Sequence, residues 1–236
     1  MCGRFVVSTP APELASLLGV DGDEWREATG PRYNIAPSAD ILVLSSRPER
    51  TLSWARWGLI PSWSRDSSIG ARLTNARAET VWDKPSFRTA VRRHRCIIPM
   101  DGFYEWAPAT PDGPRNAAGR PVKRPHLFQR ADGDIVRVAG MCSEWNDPND
   151  PAHHVLTTAI ITCAANDTMS PIHHRMPVIL DPVDCDEWLE SDDTAHLLRP
   201  APDTTLTVIE VGTAVNDARN QGPELIAPMQ PEPRLF

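Results

Sequence analysis

Short apolar runs with strand-like composition, bounded by turn residues, recur through most of this chain and limit what it can fold into. The pattern predicts that β-strands dominate the middle of the chain. The predicted strands are Ile41 to Leu44, Leu52 to Trp57, Cys96 to Ile98, Gly102 to Trp106, Ile135 to Met141, Val155 to Thr162, Val178 to Leu180 and Thr205 to Val211.

Three short helices are expected around these strands. Ser8 or Thr9 is predicted to cap the first, which starts with a proline and carries leucines at helical spacing. The second opens at Asp181 and turns Trp188 inward. A third is expected from Thr194 to Leu198.

The length of 236 residues is ordinary for one undivided domain with a hydrophobic core. We expect one domain over residues 1–228 and a loose tail over residues 229–236. Turn residues crowd the segment from Ala107 to Pro125, which predicts an exposed loop with a mobile tip.

Composition points to a water-soluble protein, since 41% of residues are hydrophobic and 23% are charged. No apolar run approaches the roughly 20 residues needed to span a bilayer. The first residues also lack the cationic and apolar regions of a secretion signal. We therefore expect a cytoplasmic location.

The five cysteines are odd in number, widely scattered and free of any CxxC pair. This spacing favours neither a disulfide framework nor a zinc cluster. The cysteines are Cys2, Cys96, Cys142, Cys163 and Cys185.

The net charge of -7 argues against a globally basic nucleic-acid binder, yet the charges are segregated along the chain. Residues 72–95 hold seven Lys or Arg against Glu79 and Asp83, whereas residues 181–203 hold eight acids against Arg199. A local basic face can bind phosphates while the opposite side stays acidic.

The start of the chain carries the most reactive pattern. Removal of Met1 would leave Cys2 with a free α-amino group beside its thiol. That amine has a reference pKa of about 7.7 to 8.0, so it is partly neutral at physiological pH and can attack an aldehyde. The thiol can then add to the imine carbon and close a five-membered thiazolidine ring. An incidental cysteine at an unstructured terminus is the alternative from position alone.

Several further segments are too particular to be explained by packing. They are MCGRF at residues 1–5, RYNIAP at 32–37, WGLIPSW at 57–63, TNARAET at 74–80, GFYEW at 102–106 and IHHRMPVIL at 172–180. Together they resemble the SRAP family, the SOS response-associated peptidase-like proteins that process abasic sites. The resemblance extends from Met1 to the NQGPELIAP segment at residues 220–228.

The resemblance implies that Cys2 is the nucleophile and that Asn75, Glu105 and His173 surround it. Asn75 can orient the amine or a sugar hydroxyl without adding charge. Glu105, in a strand with aromatic neighbours, can transfer protons as the sugar opens and the imine forms. His173 can give and take a proton near neutral pH. Without the family, a turn asparagine, an exposed strand glutamate and a surface histidine are the ordinary interpretations.

The resemblance also implies a DNA-binding shell. Guanidinium groups suit phosphate oxygens, and flat apolar side chains can stack on or wedge between bases. The residues carried over are Arg4, Arg77 and Arg175 for phosphates, and Pro37, Trp63 and Trp106 for bases.

Two positions depart from the family pattern. His174 stands where aspartate often follows the active histidine, which leaves open what orients His173. Met141 and Cys142 stand where an aromatic or apolar pair is common, and we interpret Cys142 as a buried core thiol.

Three other functions start from the same residues. An N-terminal-nucleophile amidotransferase also begins with Met-Cys-Gly and uses the freed amine as base. A peptidase would use Cys2 to cleave peptide bonds. Of this activity we expect only limited self-processing. A non-enzymatic single-strand DNA-binding module would keep the arginines and tryptophans but leave the position of Cys2 unexplained.

We therefore expect a single α+β domain with a curved, barrel-like mixed β core flanked by short helices. By the resemblance, its partner is single-stranded DNA containing abasic sites, which Cys2 captures as a thiazolidine crosslink. The aminothiol supplies the reactive chemistry, so neither a metal nor an organic cofactor is expected. A monomer is the simplest expectation for its oligomeric state.

Overall fold

The computed structural model describes residues 2–21, 30–46, 49–110, 113, 115 and 118–229. Residues 230–236, which make up nearly all of the predicted tail, lie outside this part. So do residues 111, 112, 114, 116 and 117 of the predicted loop.

Thirteen strands and three α-helices follow one another in the described residues, with short 3-10 turns between some of them. In chain order they are β1 (Arg4–Val7), α1 (Ala11–Leu17), β2 (Arg32–Ile35), β3 (Asp40–Ser45), β4 (Thr51–Trp57), β5 (Asn75–Arg77), α2 (Arg88–Arg93), β6 (Arg95–Met100), β7 (Gly102–Ala107), β8 (Arg124–Arg130), β9 (Val136–Asp147), β10 (Asp150–Ala164), β11 (Arg175–Pro177), β12 (Ile179–Leu180), α3 (Cys185–Glu190) and β13 (Leu206–Glu210).

Five of these strands close into a barrel. The order is β10, β4, β3, β6 and β9, and β9 pairs back onto β10. The β10–β4 pair is parallel, while the other four pairs are antiparallel. Closure leaves these strands without an unpaired edge. The expected α+β class with a barrel-like mixed core is confirmed.

A second, antiparallel sheet has the order β13, β8, β7, β1 and β2. Its register sets Arg4 opposite Tyr104 and Phe5 opposite Phe103. The start of the chain therefore runs alongside β7, the strand that carries Glu105.

The core lies inside the barrel and between the two sheets. Phe5 packs on Trp57 with ring centroids 5.1 Å apart, and Phe103 stacks on Phe128 at 5.2 Å. Burial of each phenylalanine contributes roughly 1.5–3 kcal/mol. The Trp57 indole N–H donates to the Thr74 carbonyl at 3.0 Å, so its polar atom is satisfied inside the core. This contact also fixes the residue before Asn75.

The first predicted helix is confirmed as α1, but its predicted cap is wrong. Pro10 occupies the cap position without a side-chain hydrogen bond. The Ser8 and Thr9 backbone N–H groups instead donate to the Asp101 carboxylate, as do their hydroxyls. Asp101 lies between β6 and β7, so these bonds fasten the end of β1 to the opposite turn.

The other two predicted helices differ in form. A 3-10 turn at Pro182–Asp184 leads into α3, where Trp188 and Leu189 are buried as predicted. The third is a 3-10 turn at Ala195–Leu197. No helix in the described part of the chain is long and apolar enough to cross a membrane.

Candidate functional site

Cys2 lies two residues before the first residue of β1 and is completely buried. The Asn75 side-chain amide donates to its carbonyl oxygen at 3.1 Å. The same amide donates to the Thr74 hydroxyl, also at 3.1 Å. Two residues that sequence motifs place in one site, 73 positions apart, are thus in direct contact.

Asn75 is held by the barrel. It is the first residue of β5, which pairs in parallel with β10 and sets Asn75 opposite Ile160. The Ile160 backbone N–H donates to the Thr74 carbonyl at 3.1 Å. The Asn75 Oδ1 atom is buried and has no hydrogen-bond partner among the described residues. An acceptor is therefore available beside Cys2 for an incoming donor.

Glu105 is the acidic residue that most affects the pKa of the Cys2 thiol. It lies in β7 and is only 4% exposed, so the interpretation as an exposed strand glutamate is wrong. Burial raises the pKa of the Cys2 thiol well above its usual range, and the Glu105 carboxylate raises it further. The Arg4 backbone N–H, which hydrogen-bonds the sulfur, lowers it. The Cys2 thiol is consequently protonated at neutral pH, close to a carboxylate.

His173 lies just before β11 and is half-buried. The Arg175 backbone N–H donates to its Nδ1 at 3.0 Å. The Arg175 carbonyl also lies 3.1 Å from Nδ1. Because a backbone N–H can only donate, we assign Nδ1 as the acceptor, which places a proton on Nε2. His174 stacks on this ring at 4.5 Å. The backbone of β11 thus orients His173 where the sequence offers no adjacent carboxylate.

Arg175 is buried and forms a bidentate ion pair with Glu79, with N–O distances of 2.5 and 2.9 Å. It also donates to the Thr162 carbonyl at 2.6 Å. Its hydrogen bond holds the pKa of Glu79 below the usual value. A phosphate contact by Arg175 stays a prediction, and such a phosphate would have to compete with Glu79. Sequence reasoning assigned no role to Glu79, although it lies in the TNARAET motif.

Arg4 and Trp106 are tied to the C-terminal part of the fold. Arg4 donates to the Asn34 side-chain oxygen at 2.8 Å and to the Val215 carbonyl at 2.9 Å, and its guanidinium lies 6.0 Å from the Trp106 ring. Burial lowers the pKa of Arg4. The Trp106 indole donates to Asn216 at 2.6 Å. Both predicted DNA contacts therefore already have partners within the protein.

Asn34 is a further site residue that sequence reasoning missed. It is buried, and its side-chain amide donates to the carbonyls of Val215, Asp217 and Asn220 at 3.2, 3.0 and 3.2 Å. These bonds connect the RYNIAP segment to the region of the NQGPELIAP segment. The presence of both segments in the sequence was the signal that could have identified Asn34. Asn34 is thereby held in place, and its side-chain oxygen accepts the hydrogen bond that positions Arg4.

The remaining predicted DNA contacts face solvent. Arg77 and Pro37 are exposed, and Trp63 has 59% of its surface exposed. Within the described ranges, no group of three or more His, Cys, Asp or Glu side chains is arranged to hold a metal ion. The expectation that neither a metal nor a cofactor is needed stays a prediction.

Comparison with known proteins agrees with the motifs. The family model described as SOS response associated peptidase (SRAP) matches residues 1–218. The chain is 36% identical over 232 residues to abasic site processing protein YoqW of Bacillus subtilis (strain 168), covering 96% of this chain and 99% of that protein. It is 30% identical over 266 residues to abasic site processing protein HMCES of Gallus gallus, covering 98% and 78%.

A solved structure shares the fold. A crystal structure of a protein from Bacteroides thetaiotaomicron superposes with a TM-score of 0.82 at 26% identity, covering 97% of this chain and 100% of that one. The sequence motifs, the family match and this architecture agree over nearly the whole length. The chain belongs to the SOS response associated peptidase (SRAP) family.

Proposed function

We propose that this chain recognises abasic sites in single-stranded DNA as part of the response to DNA damage, and captures their aldehyde through Cys2 after Met1 is removed. The relatives named abasic site processing proteins support the substrate. The observation that carries the proposal is the cluster at the chain start, where Asn75 bonds Cys2 and Glu105 lies near its thiol.

The proposed reaction has two bond-forming steps. The α-amine of Cys2 adds to the aldehyde carbon of the opened sugar, and loss of one water gives an imine. The sulfur then adds to the imine carbon while the thiol proton passes to the nitrogen, which closes the thiazolidine. No electrons are exchanged with an external partner. An amine near its reference pKa suits the first step at physiological pH.

The protonated thiol favours this order of steps. A thiol whose pKa is raised by burial is a poor nucleophile on its own, because the thiolate is the reactive form. It needs a base when it adds to the imine, and the neighbouring Glu105 carboxylate supplies one. The same carboxyl can protonate the ring oxygen of the sugar as it opens. Glu105 is thereby proposed as the general acid and base of adduct formation.

Asn75 and His173 have separate proposed roles. The Asn75 amide fixes the Cys2 carbonyl, and its unpartnered Oδ1 can accept from the amine or from a sugar hydroxyl. His173 presents Nε2–H and can donate a proton to the departing alcohol when the adduct reverses. Reversal would release the protein from DNA.

We propose that the DNA-binding shell acts at two levels. Arg77, Pro37 and Trp63 are exposed and can contact the strand directly. Arg4 and Trp106 are partly exposed, and their hydrogen bonds to Asn34 and Asn216 fix their positions in the fold. The protein would work as a monomer, in the cytoplasm with DNA.

The amidotransferase alternative fits the site less well. That reaction needs the sulfur itself to attack an amide carbonyl, and the raised thiol pKa works against it. Limited self-processing by Cys2 is compatible with the proposal, as a hydrolytic side reaction of the same residue. A lyase or hydrolase classification of the enzyme is part of this proposal.

Covalent trapping tests the proposed reaction. The protein is incubated with a single strand bearing one abasic site, and adducts are resolved in SDS gels. Wild type should give an adduct that survives denaturation. Cys2→Ala should give none, and Cys2→Ser at most a hydrolysable imine, since a hydroxyl closes the ring less readily. Equal stable adducts from Ser and Cys would rule out the thiazolidine.

A further inference from the structure

A cavity of about 250 Å³ lies between the loop that follows β4, the start of α2 and the outer part of β9. Pro61 and Trp63 form one side, Pro85 and Thr89 form the other, and β9 between Cys142 and Asn146 contributes the floor. None of its described lining residues belongs to the cluster around Cys2. The cavity is thus a separate feature of the surface, large enough for one flat heterocycle.

Trp63 stands at the rim of this cavity with 59% of its surface exposed. The turn that carries it is fixed, since the Ser64 N–H donates to the Pro61 carbonyl at 2.8 Å and the buried Trp145 indole donates to the Ser64 carbonyl at 2.8 Å. An exposed indole on a fixed turn is a preformed surface on which a base can stack.

A row of cations runs beside the cavity, from the turn before α2 into the helix. The Arg88 N–H donates to the Lys84 carbonyl at 2.9 Å, so Lys84, Arg88 and Arg92 follow each other at helical spacing on one face. All three are exposed. Arg92 lies 5.5 Å from the Trp82 ring and donates to the Trp82 carbonyl at 3.3 Å. The row is next to the cavity-lining row that contains Pro85 and Thr89.

These cations differ from several arginines elsewhere in the fold. Arg50, Arg124, Arg130 and Arg137 each form an ion pair with a carboxylate. In the part of the chain that the structure describes, the α2 row forms no such pair. Exposed cations without acidic partners, aligned along one face, complement a phosphodiester backbone.

The cavity itself suits a base better than a phosphate. Glu144 lines it and would repel an anion, whereas a carboxylate accepts hydrogen bonds from an exocyclic amino group. Ser86, Thr89 and Asn146 add polar groups at its wall. A base inside the cavity can donate a hydrogen bond to Glu144, while its phosphates pair with the cations along α2.

The cavity and the Cys2 cluster each include a residue from a strand that pairs with β10. Ser143, which lines the cavity, pairs with Thr157 of β10, and Asn75 pairs with Ile160 of β10. The three-residue offset along β10 corresponds to about 10 Å, and the two strand spacings between β9 and β5 add about 10 Å across the sheet. One DNA strand can therefore reach both places within a few nucleotides.

We propose that this cavity binds an unpaired base carrying an exocyclic amino group, in the strand that flanks the abasic nucleotide. The base stacks on Trp63 and donates to Glu144, while Lys84 and Arg88 bind the adjoining phosphates. The inference rests on the proposed function for its identification of the strand as DNA.

Binding of an unmodified single strand, followed by fluorescence anisotropy, tests the inference without the Cys2 reaction. Trp63→Ala should bind roughly five- to hundredfold more weakly, in line with the loss of one stacked base. The double variant Lys84→Gln/Arg88→Gln should lower the slope of log affinity against log salt by about 1.4. Arg199→Gln, an exposed cation in the acidic segment, is the control and should leave affinity and slope at wild-type values.

Base identity is tested with homopolymers. Oligo-dC should bind several-fold more tightly than oligo-dT, which has no exocyclic amino group, and Glu144→Ala should remove the difference. Equal affinity of Trp63→Ala and wild type, an unchanged salt slope in the double variant, or no difference between dC and dT would each overturn the inference. Failure of the proposed function would look different, because abasic DNA would then give no adduct while these affinities still changed.

Discussion

At the residue scale, the environment of Cys2 decides its chemistry. Burial and the Glu105 carboxylate both raise the pKa of the Cys2 thiol, whereas the reference pKa of an N-terminal amine lies near neutrality. In the proposed reaction these two nucleophilic groups act one after the other. The amine attacks the aldehyde first, and the thiol adds once the imine has formed.

Glu105→Gln tests the proton transfers. The amide keeps the shape of the side chain but cannot accept the thiol proton, so adduct formation should slow by roughly 10²- to 10⁴-fold. Affinity for the strand should stay within about twofold. Single-turnover adduct formation in SDS gels measures the rate. Glu13→Gln on the exposed face of α1 is the control, and a wild-type rate in Glu105→Gln would remove Glu105 from the mechanism.

The Glu79–Arg175 pair should stabilise the fold modestly. A double-mutant cycle with Glu79→Gln and Arg175→Met should give a coupling of roughly 1 kcal/mol at pH 7, because Glu79 is half exposed and solvent screens the pair. The folded state lowers the pKa of Glu79, so this stability is present above the ordinary glutamate pKa and is lost as pH falls through the folded value. Urea unfolding at pH 7 and pH 3 measures it. A coupling that is larger at pH 3 would contradict this assignment.

At the element scale, strands within clear apolar runs were predictable, down to the two-residue β12, whereas β1, β2, β5, β8 and β11 were not predicted. The core strands β3, β4, β6, β9 and β10 all appear near their predicted positions. The strands β5 and β11 have three residues each, too few to show periodicity, and their partner is β10. The strand β8 was missed because it has charged residues, Arg124 and Arg130, at both ends.

The site was predictable only in part, because contacts between distant segments complete it. Motif resemblance supplied Cys2, Asn75, Glu105 and His173, but pairing across the fold decides their partners. The Glu79 contact with Arg175 and the Asn34 contact with Arg4 join residues distant in the chain. No local pattern in the sequence shows such pairs. Their recognition needed the three-dimensional arrangement of the strands.

Gly140 tests how tightly the barrel strands pack. A Cβ at this position of β9 would lie 2.9 Å from the Ile98 side chain, 3.0 Å from the Cys96 sulfur and 3.1 Å from the Ala159 carbonyl oxygen. Gly140→Ala should therefore lower the free energy of unfolding by roughly 1–3 kcal/mol.

Gly212→Ala is the matched control, because a Cβ there meets no atom within 4 Å among the described residues. Its free energy of unfolding, measured by urea titration, should stay within about 0.5 kcal/mol of wild type. Equal losses in both variants would mean that the barrel accommodates the extra methyl group, contrary to the close packing seen here.

At the scale of the whole molecule, the two sheets share one core that also encloses five free cysteines. Burial raises the pKa of Cys163 to about 12 and that of Cys185 to about 11. In the unfolded chain these thiols ionise near their ordinary pKa. Above that value the unfolded state binds fewer protons than the folded state, so stability falls as pH rises.

The variant Cys163→Ala/Cys185→Ala measures this effect. Between pH 7.5 and pH 10, wild type should lose more unfolding free energy than the variant, by roughly 1 kcal/mol per thiol. Urea unfolding in the presence of a reducing agent is the measurement. The lower stability expected of the variant at pH 7.5 does not affect the comparison, which uses each protein's own change with pH. Equal losses would contradict protonated, buried thiols.

Intact mass spectrometry, before and after incubation with a single strand bearing one abasic site, tests the central claim most directly. We predict that the functional protein lacks Met1 and gains the mass of one DNA strand less one water, and that Cys2→Ala gains nothing. A functional protein that retains Met1, or a Cys2→Ala variant that gains the same mass, would contradict capture of the aldehyde by the terminal aminothiol.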